Sequence, residues 1–359
     1  MDTTSDLTDS FYRSSNGTSM RKAVVLPCSN TINLAKEIVS KSSYLKLGKV
    51  RMTYFASGEV CPVIEGNVRG RHVIVVSSGH KFVTDKCEVT VNDIFMELML
   101  LLQATKLADA RRIDVIIPLF FYSRQDKKIG SRQPISAKFI ADALSMYHVT
   151  RVVAIDLHSS QIQGFFSCGM DNLYAIKYLG NAINSYMRSP SNKENKYFLV
   201  APDQGAVKRI EAYSRYLNMD YVQMNKVRSR RVANKIDYIT YGGGTLKETE
   251  LESRHAIIVD DMIDTAGSCI ECVKLLTENY GVTSVSLAAV HGIFSGKAFE
   301  RINAEDKIPA VFCTNTVNQN VSQTLCPKVQ VVDISELLAK TCDNLISGKS
   351  ISKLFPVSE

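Results

Sequence analysis

The chain has 359 residues, enough for two domains with separate cores, since single cores rarely grow beyond about 250–300 residues. Hydrophobic residues make up 45% and charged residues 22%, as in an ordinary globular protein, and no apolar run reaches the roughly 18 residues that a membrane span needs. The net charge of +7 comes without a Lys/Arg block, a Cys/His cluster or an aromatic–basic ladder. It suits an anionic small substrate and argues against nucleic acid or a membrane surface as partner.

Residues 1–20 are polar and partly acidic and read as a disordered tail, with no signal-peptide pattern. Short β-branched apolar runs then alternate with amphipathic segments. Strands are predicted over 73–76, 115–119, 152–155, 198–200, 257–259 and 285–290. A helix is predicted over 92–108, with Ile94, Phe95, Leu98, Met99, Leu101 and Leu102 on one face. A second starts near Ser136 and is expected to bury Phe139, Ile140, Ala143 and Leu144. A third covers 268–279, closed by Gly281, and a last one lies near 335–346. Alternation of this kind implies an α/β fold with mainly parallel sheets covered by helices on both faces. Its repetition implies two such domains joined near 165–175. By pattern alone the last helix fits either.

Nine cysteines, odd in number and scattered, indicate free thiols in a reducing, cytoplasmic setting. Cys269 and Cys272 form a CxxC inside the third helix, where a buried structural role outweighs redox or zinc chemistry.

In parallel sheets, ligands sit beyond the carboxyl ends of the strands. Three ends are polar: Asp156-Leu157-His158, Pro202-Asp203-Gln204-Gly205 and Asp260-Asp261. After the last come Asp264 and the small residues Thr265, Ala266, Gly267 and Ser268, at a helix start. Free N–H groups and the positive helix end favour a phosphate there, while paired carboxylates favour vicinal hydroxyls. A ribose phosphate meets both demands; an acidic turn with an N-capping serine meets the pattern equally well. His158 and Asp203 together would suit a divalent cation or a transferring phosphate, although a lone histidine is more often structural. Lys226 and Arg228 belong to the densest basic stretch, and Tyr122–Lys128 supplies further cations beside an aromatic; solvated loops are the plain reading of both. Neither a Walker A sequence nor a G-x-G-x-x-G turn occurs.

Together these segments resemble the ribose-phosphate pyrophosphokinases, also called phosphoribosyl pyrophosphate synthetases. The matching stretches are YSRQDKK (122–128), RQPISAK (132–138), DLHSSQIQGFF (156–166), MDNLYA (170–175), VDDMIDTAGS (259–268), HGIFSG (291–296), TNT (314–316) and SISKLF (350–355). The resemblance implies two phosphoribosyltransferase-like domains, 21–170 and 171–334, with 335–359 packing back on the first. It implies transfer of the pyrophosphoryl group of ATP to the C1 hydroxyl of ribose 5-phosphate, with Mg²⁺ as cofactor. The products are AMP and phosphoribosyl pyrophosphate, which feeds nucleotide biosynthesis.

Carried over by motif, Asp260, Asp261, Asp264, Thr265, Ala266, Gly267 and Ser268 would hold ribose 5-phosphate. Asp203, Gln204 and Gly205 would hold pyrophosphate, and His158 with Asp203 would contact the metal. Phe55, Ser57, Glu59, Arg124 and Gln125 would bind ATP, the first three from a neighbouring subunit. Lys226, Arg228 and His158 would be catalytic, the first two as cations of a mobile loop. Arg69 and Ser350 match a regulatory region at which phosphate and ADP act, in a dimer-based homo-oligomer such as a hexamer. The turn after Asp203 departs from the family's Asp-Ala-Gly-Gly-Ala-Lys-Arg, and Ala206 would be strained if its position requires a positive φ. A stretch at 79–91 is longer than the family's and carries Lys81 and Lys86. A non-catalytic regulatory subunit of the same family is the alternative reading.

Overall fold

The computed structural model describes residues 11–13, 19–83, 88–228 and 236–355. The chain divides into two compact units, one of residues 1–174 with 334–359, the other of residues 175–333. Most of the expected tail lies outside the described residues. Phe11–Arg13 (β1) and Ser19–Arg21 (β2) form a small antiparallel ribbon.

The first unit is built on Ala23–Pro27 (β3), Leu45–Leu47 (β4), His72–Val76, Arg112–Ile116, Val149–Ile155 and Gly169–Leu173, after the hairpin Lys49–Tyr54 (β5) and Val60–Glu65 (β6). With those four sheet strands as β7, β10, β11 and β12, the order is β12-β11-β10-β7-β3-β4, all parallel. Val24, Val25, Leu26, Val73, Ile74, Val75 and Val115 are buried, as a sheet covered on both faces requires. The covering helices are Ile32–Ser40 (α1), Val91–Leu107 (α2) and Ser136–Ser145 (α3).

Thr90 and Asp93 close a capping box at the start of α2, fixing where the helix begins. Ahead of it, Phe82–Val83 (β8) and Glu88–Val89 (β9) pair in the longer stretch, and Lys81 bonds Glu88 at 2.8 Å. Lys86 lies outside the described residues. In α3 the buried stripe is Ala137, Ile140, Ala141 and Leu144, the i, i+3, i+4, i+7 pattern. Phe139, expected inside, falls off that stripe and is 63% exposed, its ring tilted against that of Phe95 with centroids 6.2 Å apart.

The second unit contains Ile176–Met187 (α4), Tyr197–Ala201 (β13), Val207–Leu217 (α5), Tyr221–Arg228 (β14), Ile236–Gly244 (β15), His255–Ile263 (β16) and Gly267–Asn279 (α6). Ser284–Gly292 (β17), Ala298–Ala304 (α7), Val311–Thr314 (β18), Ser322–Leu325 (α8) and Val329–Val332 (β19) complete it. The seven-stranded order is β15-β14-β13-β16-β17-β18-β19, parallel except for the β14–β15 ribbon. At the ribbon's end Gly244 has φ 142°, and a Cβ there would stand 2.2 Å from the Tyr221 carbonyl oxygen, so only glycine fits.

The chain then returns to the first unit through Ser335–Ser347 (α9). Lys41 donates to Ser335 and Ser42 to Asp343, tying α9 to the end of α1. Gly348, at φ 68°, stops the helix. The eight described cysteines are free thiols, and Cys269 and Cys272 are buried in α6.

Candidate active site

In the second sheet β13 lies between β14 on one side and β16 on the other, so the strand order reverses between β13 and β16. The crevice beyond the carboxyl ends of two such strands is where open α/β sheets bind ligands. Both strands end in acids here.

After β13, Asp203 caps a short turn, its Oδ1 accepting from the Gly205 N–H at 3.0 Å. Ala206 is buried with φ −87° and ψ −3°, an ordinary helical conformation. The strain expected at Ala206 is therefore absent. Arg209, in the first turns of α5, reaches across to β16 and donates from Nη1 to Asp260 Oδ1 at 3.4 Å.

The strand expected to stop at residue 259 runs on through Ile263, because Met262 and Ile263 stay in register with His291 and Gly292 of β17. Asp260 and Asp261 are thus strand residues, held by the sheet ladder and not by a loop. The Asp261 N–H donates to Asp260 Oδ1 at 2.9 Å, and Asp261 is only 4% exposed. Burial pushes the Asp260 carboxyl well above the usual range, and the charges of Asp261 and Asp203 add to this while Arg209 offsets part of it. Like-signed carboxylates packed this way favour a proton, a cation or hydrogen-bond donors from outside.

Next comes the turn to α6. Ala266 adopts the left-handed conformation, φ 59° and ψ 1°, and the helix starts at Gly267 with no side-chain cap and no acid in its first turn. Its leading N–H groups are those an anion uses. The turn is braced from behind by HGIFSG and α7. Phe294 N–H donates to the Ile263 carbonyl (3.1 Å), Ser295 N–H to that of Asp264 (2.9 Å), and Arg301 Nη1 to that of Thr265 (2.6 Å). Phe294 is itself buried against the Phe299 ring, centroids 4.9 Å apart.

Sequence reasoning did not find Arg301 or the Arg209–Asp260 pair. In the sequence Arg209 is legible only as a cation six residues after Asp203, and nothing near Arg301 signals its reach, 36 residues back along the chain.

Lys226 and Arg228 lie in β14, their backbones paired with Ile239 and Ile236, where a mobile loop was expected. Residues 229–235, between the ribbon strands, lie outside the described residues.

The remaining sites are in the first unit. His158 is exposed, just after Asp156, which has φ 43°, while Leu157 N–H donates to Asn172 Oδ1 at 2.9 Å. Arg124 and Gln125 are exposed in the loop after β10. Gln125 also starts α3: its carbonyl accepts from Ala137 N–H and its side chain from the Ser136 hydroxyl. Phe55, Ser57 and Glu59 form the exposed turn of the β5–β6 hairpin, closed by Phe55 N–H to the Glu59 carbonyl (2.8 Å) and Ser57 Oγ to Glu59 (3.0 Å).

Behind that turn Tyr54 donates its hydroxyl to Glu97, which also accepts from Ser29 N–H and Oγ. Arg69 pairs with Asp109 at 3.1 Å, both well exposed. Ser350 donates to Ser352 and takes the Asn344 amide on its carbonyl, beside a cavity of about 270 Å³ lined by Tyr44, Lys340, Asp343, Ser347 and Lys349.

Among the described residues no group of three or more His, Cys, Asp or Glu forms a ready metal cage. His158 and Asp203 stand on different units. One carboxylate is nevertheless the donor set expected for Mg²⁺ that arrives on substrate phosphates, since that ion keeps waters and takes few protein ligands.

Residues 23–147 match the model for the N-terminal domain of ribose phosphate pyrophosphokinase, and residues 248–356 match that for the phosphoribosyl synthetase-associated domain. Among solved structures, phosphoribosylpyrophosphate synthetase from Mycobacterium smegmatis is similar at 28% identity with a TM-score of 0.79, covering 91% of this chain and 100% of that one. Adenine phosphoribosyltransferase from Saccharomyces cerevisiae overlaps 38% of this chain and 76% of its own, at 16% identity and a TM-score of 0.30. The enzyme from Trypanosoma brucei overlaps 45% and 65%, at 17% and 0.28. These last overlaps are too partial to bear on the chain. The two domain matches lie in order along it, and the M. smegmatis structure spans both; the chain belongs to the ribose-phosphate pyrophosphokinase family.

Proposed function

We propose that the chain transfers the pyrophosphoryl group of ATP to the C1 hydroxyl of ribose 5-phosphate, releasing AMP and phosphoribosyl pyrophosphate. The observation that carries this reading is the pairing, within one unit, of an acid pair on β16 with an uncapped helix start after it, beside the Asp203 turn. Asp260 and Asp261 accept hydrogen bonds from the ribose hydroxyls, which relieves their mutual repulsion. The turn at Asp264–Ser268 takes the 5-phosphate on backbone N–H groups.

Asp203, Gln204 and Gly205 hold the pyrophosphoryl group, with Arg209 anchored beside them. Phe55, Ser57, Glu59, Arg124 and Gln125 bind ATP, Lys226 and Arg228 offer charge to the phosphates in flight, and His158 does so from the first unit. Asp203, and His158 from its own unit, are the residues that would hold Mg²⁺ arriving on ATP, and the ion would neutralise phosphate charge. The C1 oxygen attacks the β-phosphorus in line, and the bond to the AMP oxygen breaks. Little covalent work falls to the protein, so positioning and cations carry the rate. Excluding water matters because water is a competing acceptor.

A dimer-based homo-oligomer in the cytoplasm, inhibited by ADP and activated by phosphate near Arg69 and Ser350, completes the reading. Among the described residues no helix is long and apolar enough to cross a membrane.

The test is direct: with ATP, ribose 5-phosphate and Mg²⁺ the purified protein releases AMP, and His158→Ala abolishes the release. No AMP at any phosphate concentration, together with binding to an active homologue, would establish the regulatory-subunit alternative instead.

A further inference from the structure

The motif HGIFSG and the helix after it have no assigned role, yet they contact each residue of the 263–265 backbone. Phe294 and Ser295 contribute main-chain N–H groups. Arg301 contributes a guanidinium that donates to the Thr265 carbonyl at 2.6 Å, one residue before the left-handed Ala266. A non-glycine residue in that conformation is held only where its surroundings fix it. Here the fixing contacts fall immediately before it, so Arg301 holds the turn that aims the first N–H groups of α6.

The charge of Arg301 points the same way. Its Nη1 is 3.8 Å from where a Cβ on Gly267 would stand, at the first residue of α6. A cation at the positive end of a helix is the unfavourable arrangement, and α6 has neither an acid in its first turn nor a side-chain cap to compensate. An anion seated on the turn reverses the sign of both interactions. Only one of the five guanidinium N–H donors is needed for the Thr265 carbonyl.

We propose that Arg301 is a positioning residue for the 5-phosphate of the sugar substrate: it locks the turn through the Thr265 carbonyl and adds positive potential behind the phosphate. This rests on the ribose 5-phosphate reading of the turn. Arg301→Met keeps the side-chain length without charge or donors, and Arg301→Lys keeps the charge without the fork.

Losing one charge-assisted hydrogen bond and its charge raises the KM for ribose 5-phosphate about 10- to 100-fold in Arg301→Met. The KM for ATP and kcat stay within about threefold. Arg301→Lys recovers part of the loss. An unchanged KM for ribose 5-phosphate in Arg301→Met overturns the assignment, and so does an equal rise in both KM values, which a merely structural role would give.

Calorimetric binding of ribose 5-phosphate to the same proteins separates this from the underlying reading. If the wild type binds no ribose 5-phosphate, the reading falls and the assignment with it. If the wild type and Arg301→Met bind it equally, only the assignment falls.

Discussion

Each unit has one place where its strand order reverses, and the chain treats the two in opposite ways. In the first unit the reversal lies between β3 and β7, beyond which stand Cys28, Ser29, Asn30 and Thr31 on one side and Ser77, Ser78, Gly79 and His80 on the other. These groups are bonded to one another. Asn30 Nδ2 donates to the Ser78 and His80 carbonyls at 2.7 and 3.2 Å, Thr31 Oγ1 donates to the Val76 carbonyl at 2.7 Å, and Ser29 and Tyr54 donate to Glu97. Burial raises the Glu97 carboxyl, and those hydrogen bonds draw it part of the way back.

At the second unit's reversal the carboxylates repel, one arginine offsets them in part, and the helix beyond is uncapped. Similar topology supplies both crevices. What differs is that the first is laced by uncharged hydrogen bonds, with buried acceptors such as Asn30 Oδ1 left over, while the second keeps a charge imbalance for a ligand.

Substitutions at the two places should act with opposite sign, which puts that contrast to the test. The largest effect is expected from Asp260→Asn. Removing a charge-assisted partner of the sugar hydroxyls lowers kcat/KM for ribose 5-phosphate by roughly 10²–10³-fold in the AMP-release assay. The same change stabilises the ligand-free protein. Because the folded-state pKa of Asp260 is raised, the folded protein holds its proton more tightly than the unfolded chain does. Wild-type stability from this group is therefore present in acid and lost as pH climbs through the raised pKa. Melting curves of the two proteins should coincide in acid and separate in mildly alkaline buffer, with Asp260→Asn the more stable. A less stable variant at high pH would show that Arg209 outweighs the repulsion.

Glu97→Ala acts the other way. It leaves the Ser29 N–H and hydroxyl and the Tyr54 hydroxyl without their buried acceptor, at about 2–4 kcal/mol in chemical denaturation. The KM for ribose 5-phosphate should not change; if it rises as in Asp260→Asn, the two crevices are not separable. Ala206→Gly has the smallest effect. With φ already at −87°, glycine loses about 0.5–1 kcal/mol of stability and gains no rate. A several-fold gain in AMP release would mean that the working enzyme needs a left-handed turn there.

Patterns that depend on periodicity were legible in the sequence. Continuous apolar runs marked the central strands of both sheets, and Gly281, at φ 63°, ends α6 as the composition suggested. Features that depend on partners far along the chain were not. The extension of β16 past Val259 is decided by register with β17, and no local signal reports it.

Phe139 shows that apolar character alone does not imply burial, because the stripe set by Ala137, Ile140, Ala141 and Leu144 leaves it outside. Glu97 was legible in principle: it sits three residues after Ile94 and four before Leu101, on the buried face of α2, and an acid there demands buried donors. For the candidate site, the residue types were readable in the motifs, but the contacts of Arg209 and Arg301 come only with the fold.

The cysteines have a practical consequence. Of the eight described, Cys61 is exposed and Cys168 half-buried, while burial suppresses ionisation of others, pushing the Cys313 thiol up to about 12. Thiolate is the reactive form, so among the described cysteines an electrophilic dye will modify Cys61 first. Cys61 stands on β6, paired with Thr53 just behind the turn of Phe55, Ser57 and Glu59. The unmodified protein thus already carries a handle for an optical reporter of what binds at that turn.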